Sequence, residues 1–185
     1  MAKQFAELSD QHRAFIERQH IFFTATAAPT GRVNVSPRPT TALKVLSPNT
    51  AVYMDRTGSG NETAAHLRQL NRMTIMFCAV DGPPQIMRLY GKGQILRRGT
   101  AAYAKLLSSA FGGDEPAGAR QIVRLDFDVV QTSCGYGVPL YDYQGERPSI
   151  ENWSEAKTPE EMEAYQREHN QVSIDGFPTG MFEDA

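Results

Sequence analysis

A short run of small and polar residues, GSGNET at positions 58–63, comes directly before a helix-forming segment. The start of a helix leaves several backbone N–H groups without partners, and these groups can bind an anion such as a phosphate. The hydroxyls of Ser59 and Thr63 and the amide of Asn61 could add hydrogen bonds. The same residue types also cap helices for purely local reasons, and capping is the commoner use. The turn therefore has two interpretations, an anion site and a capped helix.

Two cations favour the anion interpretation. Arg38 lies between two prolines in the stretch SPRPTT, and Lys44 follows in a segment with strand character. An arginine offers a fork that matches phosphate oxygens, and a lysine offers a point charge. Each alone could equally be a solvated surface charge. The hypothesis of a phosphate site rests on their combination with the polar turn.

The common nucleotide motifs do not fit this turn. GSGNET begins with the G-x-G spacing of a dinucleotide-binding fold, but Thr63 stands where the third glycine is needed. The strand–helix–strand alternation of such folds is also missing around it. The Gly-Lys-Ser/Thr triplet of a phosphate-binding P-loop does not occur in the chain.

Hydrophobic periodicity predicts a mainly β protein with flanking helices. Strands joined by short turns favour an antiparallel barrel over a doubly wound sheet. Gly91 and Gly93 within one strand predict a bulge or a close approach of another group. The predicted helices cover 5–19, 60–70 and 100–111, with a fourth starting at Thr158, and the predicted strands cover 20–28, 32–37, 40–47, 50–57, 73–80, 85–96 and 121–133.

The length and the amino-acid composition are typical of a globular protein. The chain has 185 residues, 41% hydrophobic and 22% charged, with a net charge of -2. A net charge this close to zero does not indicate a binding surface for nucleic acid or for an anionic membrane. Two cysteines, Cys78 and Cys134, form no disulfide framework, and neither a signal peptide nor a membrane span is visible, so a cytoplasmic location is expected. No Cys/His spacing suggests a metal site.

The order of four segments resembles that of a known family. SPRPTTALK (36–44), AVYMD (51–55), GSGNETAAHLRQLNRMTIMF (58–77) and RLYGKG (88–93) resemble the pyridoxamine 5′-phosphate oxidase-like superfamily. Its members form FMN-binding split β-barrels, and the resemblance covers roughly residues 12 to 133. It implies a split antiparallel β-barrel, a homodimer, and FMN held between the two subunits.

The resemblance also implies roles for named residues. Two groups would contact FMN: Arg38, Lys44, Ser59, Gly60, Asn61 and Thr63 at its phosphate end, and Tyr53 and Arg88 along its ribityl chain or ring. The interval from Arg38 to Lys44 is one residue longer than in the family's motif. The sequence leaves catalytic residues unassigned.

The C-terminal part departs from the family's vitamin B6 oxidases. The chain ends DGFPTGMFEDA and lacks their basic Arg-Leu-Pro segment. The substrate is therefore expected to be a small organic molecule other than pyridoxamine phosphate. Residues 1–134 are predicted to form the flavin-binding barrel, and residues 135–185 an acidic extension packed on the barrel or on the dimer partner.

The predicted activity is that of an FMN-dependent oxidoreductase. Three alternatives stay open at this point. The same fold could bind a deazaflavin or haem, it could bind a flavin without turnover, or it could hold no cofactor at all.

Overall fold

The computed structural model describes residues 2–183, which contain eight β-strands and five α-helices. The strands are β1 Lys3–Phe5, β2 Ile21–Ala27, β3 Val33–Pro39, β4 Leu43–Ser47, β5 Thr50–Arg56, β6 Arg72–Cys78, β7 Ile86–Arg97 and β8 Ala119–Ser133. The helices are α1 Asp10–Glu17, α2 Glu62–Gln69, α3 Ala101–Phe111, α4 Ser149–Glu155 and α5 Pro159–His169.

The strands form one antiparallel sheet in the order β3-β2-β6-β7-β8-β5-β4, with β1 paired to β8. The edge strands β3 and β4 follow each other in the chain and are joined by the short 3-10 turn Thr40–Ala42. This short connection brings the two edges side by side, so the sheet must curl into a barrel. Pro37 and Pro39 are tolerated in β3 because it is an edge strand. The predicted antiparallel barrel with flanking helices is confirmed.

The apolar residues form two clusters, one on each side of β5 and β8. The barrel interior is filled by alternate residues of the strands, among them Phe22, Ile75 and Leu89. On the outer side, Tyr103 of α3 packs against Val52 and the neighbouring strand residues. This second layer explains why β5 is buried on both faces along most of its length.

The two glycines of β7 lie where the sequence indicated a close approach. The β7–β8 pairing shifts register between Tyr90 and Gly91. A Cβ on Gly91 would lie 2.1 Å from the carbonyl oxygen of Asp126. A Cβ on Gly93 would lie 2.7 Å from Leu67 Cδ2. Gly93 therefore lets helix α2 pack directly on the barrel.

Two elements were not predicted and one prediction was too long. Residues 3–5 form β1, whereas the helix predicted over 5–19 begins only at Asp10. Ser9 sets this start, because its side chain accepts a hydrogen bond from the His12 N–H. Helix α4 lies in the C-terminal extension, in a stretch without a clear hydrophobic period.

The C-terminal extension contacts the barrel around the end of β5. The Arg56 Nη1 group donates to Glu151 of α4 at 2.7 Å, and Gln166 of α5 donates to the Thr57 hydroxyl at 2.7 Å. Further along, the Arg32 backbone N–H donates to Asp175 at 2.7 Å. The extension therefore covers the region where β5 leads into the polar turn.

Candidate functional site

The polar turn leads into helix α2 without the side-chain cap that its composition suggests. Asn61 occupies the N-cap position, and no side-chain cap hydrogen bond forms there within the described part of the chain. Its side-chain oxygen instead accepts a hydrogen bond from Gln121 Nε2 at 2.9 Å. The first backbone N–H groups of the helix are therefore not satisfied by a capping side chain. This geometry disfavours the capped-helix interpretation.

Two side chains from distant parts of the chain hold the turn in place. Arg120 Nη1 donates to the Gly60 carbonyl at 2.9 Å, and Asn170 Nδ2 donates to the Gly58 carbonyl at 3.0 Å. Arg120 Nη1 also donates to Asn170 Oδ1 at 2.8 Å. The turn is thus locked by β8 on one side and by the C-terminal extension on the other.

A buried carboxylate, Asp55, connects the turn to the basic strand. Asp55 has an exposed fraction of 0% and pairs with Arg38 Nη1 at 2.5 Å and with Arg120 Nε at 2.8 Å. Gln121 Nε2 donates to the same carboxylate at 2.7 Å. Burial alone would raise the pKa of Asp55, but Arg120 and then Arg38 hold it below its ordinary value.

The charges of this buried cluster do not cancel. Two guanidinium groups, Arg38 and Arg120, share the single carboxylate of Asp55. Burial would lower the pKa of Arg38, but Asp55 raises it above its ordinary value, so Arg38 stays charged. These three side chains together carry one excess positive charge, next to a cavity that the Glu62 carboxylate also lines.

Arg38 lies where two cavities adjoin. The smaller, of about 330 Å³, is lined by Arg38, the turn residues Gly58–Gly60 and Thr63. The larger, of about 760 Å³, is lined by Arg38 and Lys44 together with apolar side chains, including Met54, Ala110, Phe111 and Ile150. Both share Pro37, Arg38, Arg56 and Gly58. We call this continuous space the cationic groove.

The small end of the cationic groove contains buried polar atoms without partners. Within residues 2–183, Arg38 Nε and Thr63 Oγ1 are buried and make no hydrogen bond. A buried polar group is costly unless it is hydrogen-bonded. Both can donate a hydrogen bond. A ligand with several acceptor oxygens, such as a phosphate, would satisfy them.

The structure brings most of the predicted site residues together. Arg38, Lys44, Ser59, Gly60 and Thr63 all line the cationic groove. Asn61 lies beneath the turn, with an exposed fraction of 2%.

Two predicted residues occupy other positions. Tyr53 has an exposed fraction of 0% and lies in the barrel core, with the Arg38 guanidinium 4.8 Å from its ring centre. Tyr53 therefore supports Arg38 from beneath and does not line the groove, which corrects the expectation. Arg88 is on the outer face of β7, where its Nη1 lies 3.5 Å from Ser133 Oγ. Met87 and Leu89 point into the barrel, so Arg88 points away from the groove within this subunit.

Three residues that shape the site were missed by the sequence analysis: Asp55, Arg120 and Asn170. Asp55 carried a usable signal, because a carboxylate inside the apolar run AVYMD must be paired if that strand is buried. Arg120 and Asn170 carried none. Their roles depend on contacts across more than 45 residues of sequence separation.

The described residues contain neither a disulfide nor a metal-binding cluster. Cys78 is half-buried, Cys134 is exposed, and both are free. Across residues 2–183 there is no group of three or more His, Cys, Asp or Glu side chains placed to hold a metal ion. In the same range, no helix has the length and apolar character needed to cross a membrane.

The curled antiparallel sheet with flanking helices defines a split β-barrel with a polar turn at a strand–helix junction. The family model for pyridoxamine 5′-phosphate oxidase matches residues 8–134. A pyridoxamine 5′-phosphate oxidase family protein of Aspergillus flavus, ustO, is 38% identical over 190 residues, covering 94% of this chain and 76% of that protein. The chain belongs to the pyridoxamine 5′-phosphate oxidase family.

Solved structures share the fold at low sequence identity. A pyridoxamine 5′-phosphate oxidase-related, FMN-binding protein of Nostoc punctiforme has a TM-score of 0.51 at 14% identity, covering 73% of this chain and 89% of that one. HutZ, a heme storage protein of Vibrio cholerae, has a TM-score of 0.50 at 15% identity, covering 70% and 98%. At these identities the likeness concerns the fold alone.

Proposed function

We propose that this protein binds FMN in the cationic groove and acts as an FMN-dependent oxidoreductase on a small organic molecule. The observation that carries the proposal is the set of unpartnered donors at the small end of the groove. Arg38 Nε and Thr63 Oγ1 are buried without a partner in the described structure, beside the uncapped start of α2. Family membership and the FMN-binding relative of Nostoc punctiforme support the same ligand.

The residues of the groove fit both ends of FMN. The unpartnered donors and the excess positive charge suit the phosphate. The larger end offers apolar surface from Met54, Phe111 and Ile150, which suits a flat aromatic ring system. Lys44 lies along the same end. Bound FMN would supply the redox chemistry, and the chain would bind and orient it and limit water access.

We further propose a homodimer formed through the outer face of the sheet. The register places apolar residues side by side across neighbouring strands: Val35 opposite Ala25, and Phe23 opposite both Pro37 and Met76. Val33 and Val35 are exposed to 71% and 59%. A contiguous apolar face of this kind favours burial against another protein surface. Arg88 belongs to the same face, opposite Met76, so a second subunit would give it a binding role.

The first experiment is the absorption spectrum of the purified protein, followed by titration with FMN. We expect flavin bands or saturable binding, and bleaching of the bound flavin by a nicotinamide or a small organic substrate under anaerobic conditions. A Soret band would indicate haem instead. A protein that binds neither would refute the proposal, and a flavin that no reductant bleaches would refute the enzymatic part.

Thr63→Val separates a phosphate site from a helix cap. Loss of a hydroxyl that bonds a charged phosphate should weaken FMN binding roughly tenfold or more. The free energy of unfolding of the apoprotein should stay constant or rise, because the variant removes a buried hydroxyl without a partner in residues 2–183. A helix cap would give the opposite result, a loss of stability and unchanged FMN affinity. Thr30→Val, at an exposed position, is the control.

Ala25→Glu tests the homodimer. Ala25 is half-exposed in the single subunit, so the glutamate is tolerated in a monomer but would be buried in the proposed interface. We expect a monomer by sedimentation and weaker FMN binding, whereas Ala104→Glu on the exposed side of α3 should change neither. A dimer that persists in Ala25→Glu would contradict this interface.

A further inference from the structure

A second cavity lies on the other side of the polar turn, between the barrel and the C-terminal extension. It has a volume of about 560 Å³, and we call it the extension cavity. Strand β3 contributes Val33 and Asn34, the start of α2 contributes Glu62 and His66, and the extension contributes residues 172–174. It shares Ser59, Gly60, Glu62 and Asn34 with the small end of the cationic groove but opens on a different set of side chains.

Two of its lining side chains have buried polar atoms without partners. Glu62 Oε2 and His66 Nε2 make no hydrogen bond to any atom of residues 2–183. His66 has an exposed fraction of only 1%. The two residues are four apart in α2 and therefore lie on the same face of the helix. Both atoms need a partner to offset their burial.

The other atoms of these two groups are fixed by the protein. Glu62 Oε1 accepts a hydrogen bond from the Ile174 backbone N–H at 3.0 Å, so the extension orients the carboxylate. His66 Nδ1 lies 3.1 Å from the Thr26 hydroxyl. In the tautomer that directs an Nδ1 proton at Thr26, Nε2 is an acceptor, and this is the tautomer that an ammonium group would select. The cavity then holds two acceptors, one of them negatively charged.

The charge and the apolar side chains of the extension cavity indicate which class of ligand it can bind. Arg32, which lines the extension cavity, is already ion-paired with Asp175, and within residues 2–183 Glu62 forms no ion pair, although it also lines the small end of the cationic groove beside Arg38. An acceptor pair with a net negative charge matches a primary ammonium group, which carries three N–H donors. Val172 and Ile174 are exposed to 56% and 72% and line the same cavity, so they provide apolar contacts for a hydrocarbon chain.

We propose that the extension cavity is a binding site for a primary alkylammonium group, held by Glu62 and His66. The site depends on the C-terminal extension, which orients Glu62 and supplies two of the apolar walls. Because it shares Ser59, Gly60 and Glu62 with the small end of the cationic groove, the titration is carried out on the purified protein both with and without added FMN.

The test is calorimetric titration with n-butylammonium. We expect one site per chain, and binding weakened roughly tenfold or more in Glu62→Gln, because a charge-assisted hydrogen bond is lost. Tetramethylammonium has the charge but no N–H donor, and n-butanol has the chain but no charge, so both should bind at least about tenfold more weakly. Glu155→Gln, on the exposed surface of α4, is the matched control and should bind as the wild type does.

Three results would overturn the proposal: no binding of n-butylammonium by the wild type, equal affinity in Glu62→Gln, or equal affinity for tetramethylammonium. A second readout guards against misfolding of the variant. The ring nitrogen resonances of His66, assigned among the four histidines with His66→Gln, should shift on titration of the wild-type protein with n-butylammonium. Unchanged resonances would also overturn it.

Discussion

The buried carboxylate of Asp55 gives the sharpest quantitative prediction. Asp55→Asn keeps the size of the side chain but removes the only carboxylate that pairs with Arg38 and Arg120 in residues 2–183. It also places an amide N–H₂ group among the donors of Arg120, Gln121 and Arg38. Breaking a buried ion pair by removing one partner costs about 3–5 kcal/mol.

This loss is large compared with the whole stability of a domain of this size. Globular proteins unfold with about 5–15 kcal/mol, and at this length each kcal/mol lowers Tm by about 2–4 °C. We therefore expect Asp55→Asn to melt about 6–20 °C below the wild type. Urea unfolding at neutral pH, followed by circular dichroism, measures the free-energy difference directly.

A matched surface pair provides the control. Asp126 pairs with Arg124 at 2.8 Å, but both side chains are more than a third exposed, at 52% and 36%. Exposed pairs contribute about 0–1 kcal/mol, so Asp126→Asn should change little. If Asp55→Asn cost no more than Asp126→Asn, the buried cluster would not stabilise the fold and the reasoning would be refuted.

The free energy of unfolding of the wild type and that of Asp55→Asn should depend differently on pH, and the sign of the difference is defined. The pKa of Asp55 in the folded state lies below its ordinary value of 3.8. A lowered pKa contributes stability above the unfolded-state pKa, and this stability is lost as pH falls through the folded-state pKa. The wild type should therefore lose stability more steeply than Asp55→Asn below about pH 4. Parallel curves would contradict an ionised Asp55.

Added phosphate should partly replace the missing carboxylate. In Asp55→Asn, the two guanidinium groups lack a counter-ion, and Arg38 still reaches the cationic groove. Phosphate should therefore raise the stability of the variant more than that of the wild type, with chloride at equal ionic strength as the reference. Equal effects on both proteins would show that the anion does not reach these arginines.

The remaining predictions concern the turn and the bulge. Asn170→Ala should lower the free energy of unfolding by about 1–3 kcal/mol and expose residues 58–61 to proteolysis, because Arg120 and the Gly58 carbonyl lose a partner. Gln171→Ala, at an exposed position, is the control. Equal cleavage rates in the two variants would contradict this prediction. Gly91→Ala should cost about 1–3 kcal/mol or more in urea unfolding, because its Cβ would lie 2.1 Å from a carbonyl oxygen of β8. Gly137→Ala, with open space around it, should stay within about 0.5 kcal/mol, and similar losses in both would refute the steric argument.

The strands were predictable because each one carries its own burial pattern. In β2 and β6, buried and half-buried residues alternate along the strand, as expected from a period of two. The bulge at Gly91 was predictable because a glycine in a strand marks a close approach. In contrast, β1 is three exposed residues long, so its pairing with β8 leaves no hydrophobic pattern in the sequence.

The ion pairs of the site were less accessible from the sequence. Arg38 was assigned to a ligand because its neighbours in the chain suggested one, but its first partner, Asp55, lies on a strand that is not its neighbour in the sheet. For Tyr53, the family resemblance alone predicted a contact with the ribityl chain or ring of FMN. Its position in the alternation of β5 could not decide the matter, since β5 is buried on both faces.

The hydrogen bonds of the two arginines show which one a ligand can use. Arg120 is 4% exposed in its side chain, and its Nε and Nη1 groups are occupied by Asp55, Gly60 and Asn170. Arg38 is 17% exposed, pairs through Nη1 alone, and keeps an Nε group that has no partner in the described chain. Arg120 therefore holds the turn, whereas Arg38 can still donate a hydrogen bond from Nε to a ligand. Asp55 fixes Arg38 at the junction of the two cavities. The same carboxylate therefore neutralises part of the charge of Arg38 and holds its guanidinium group at the groove.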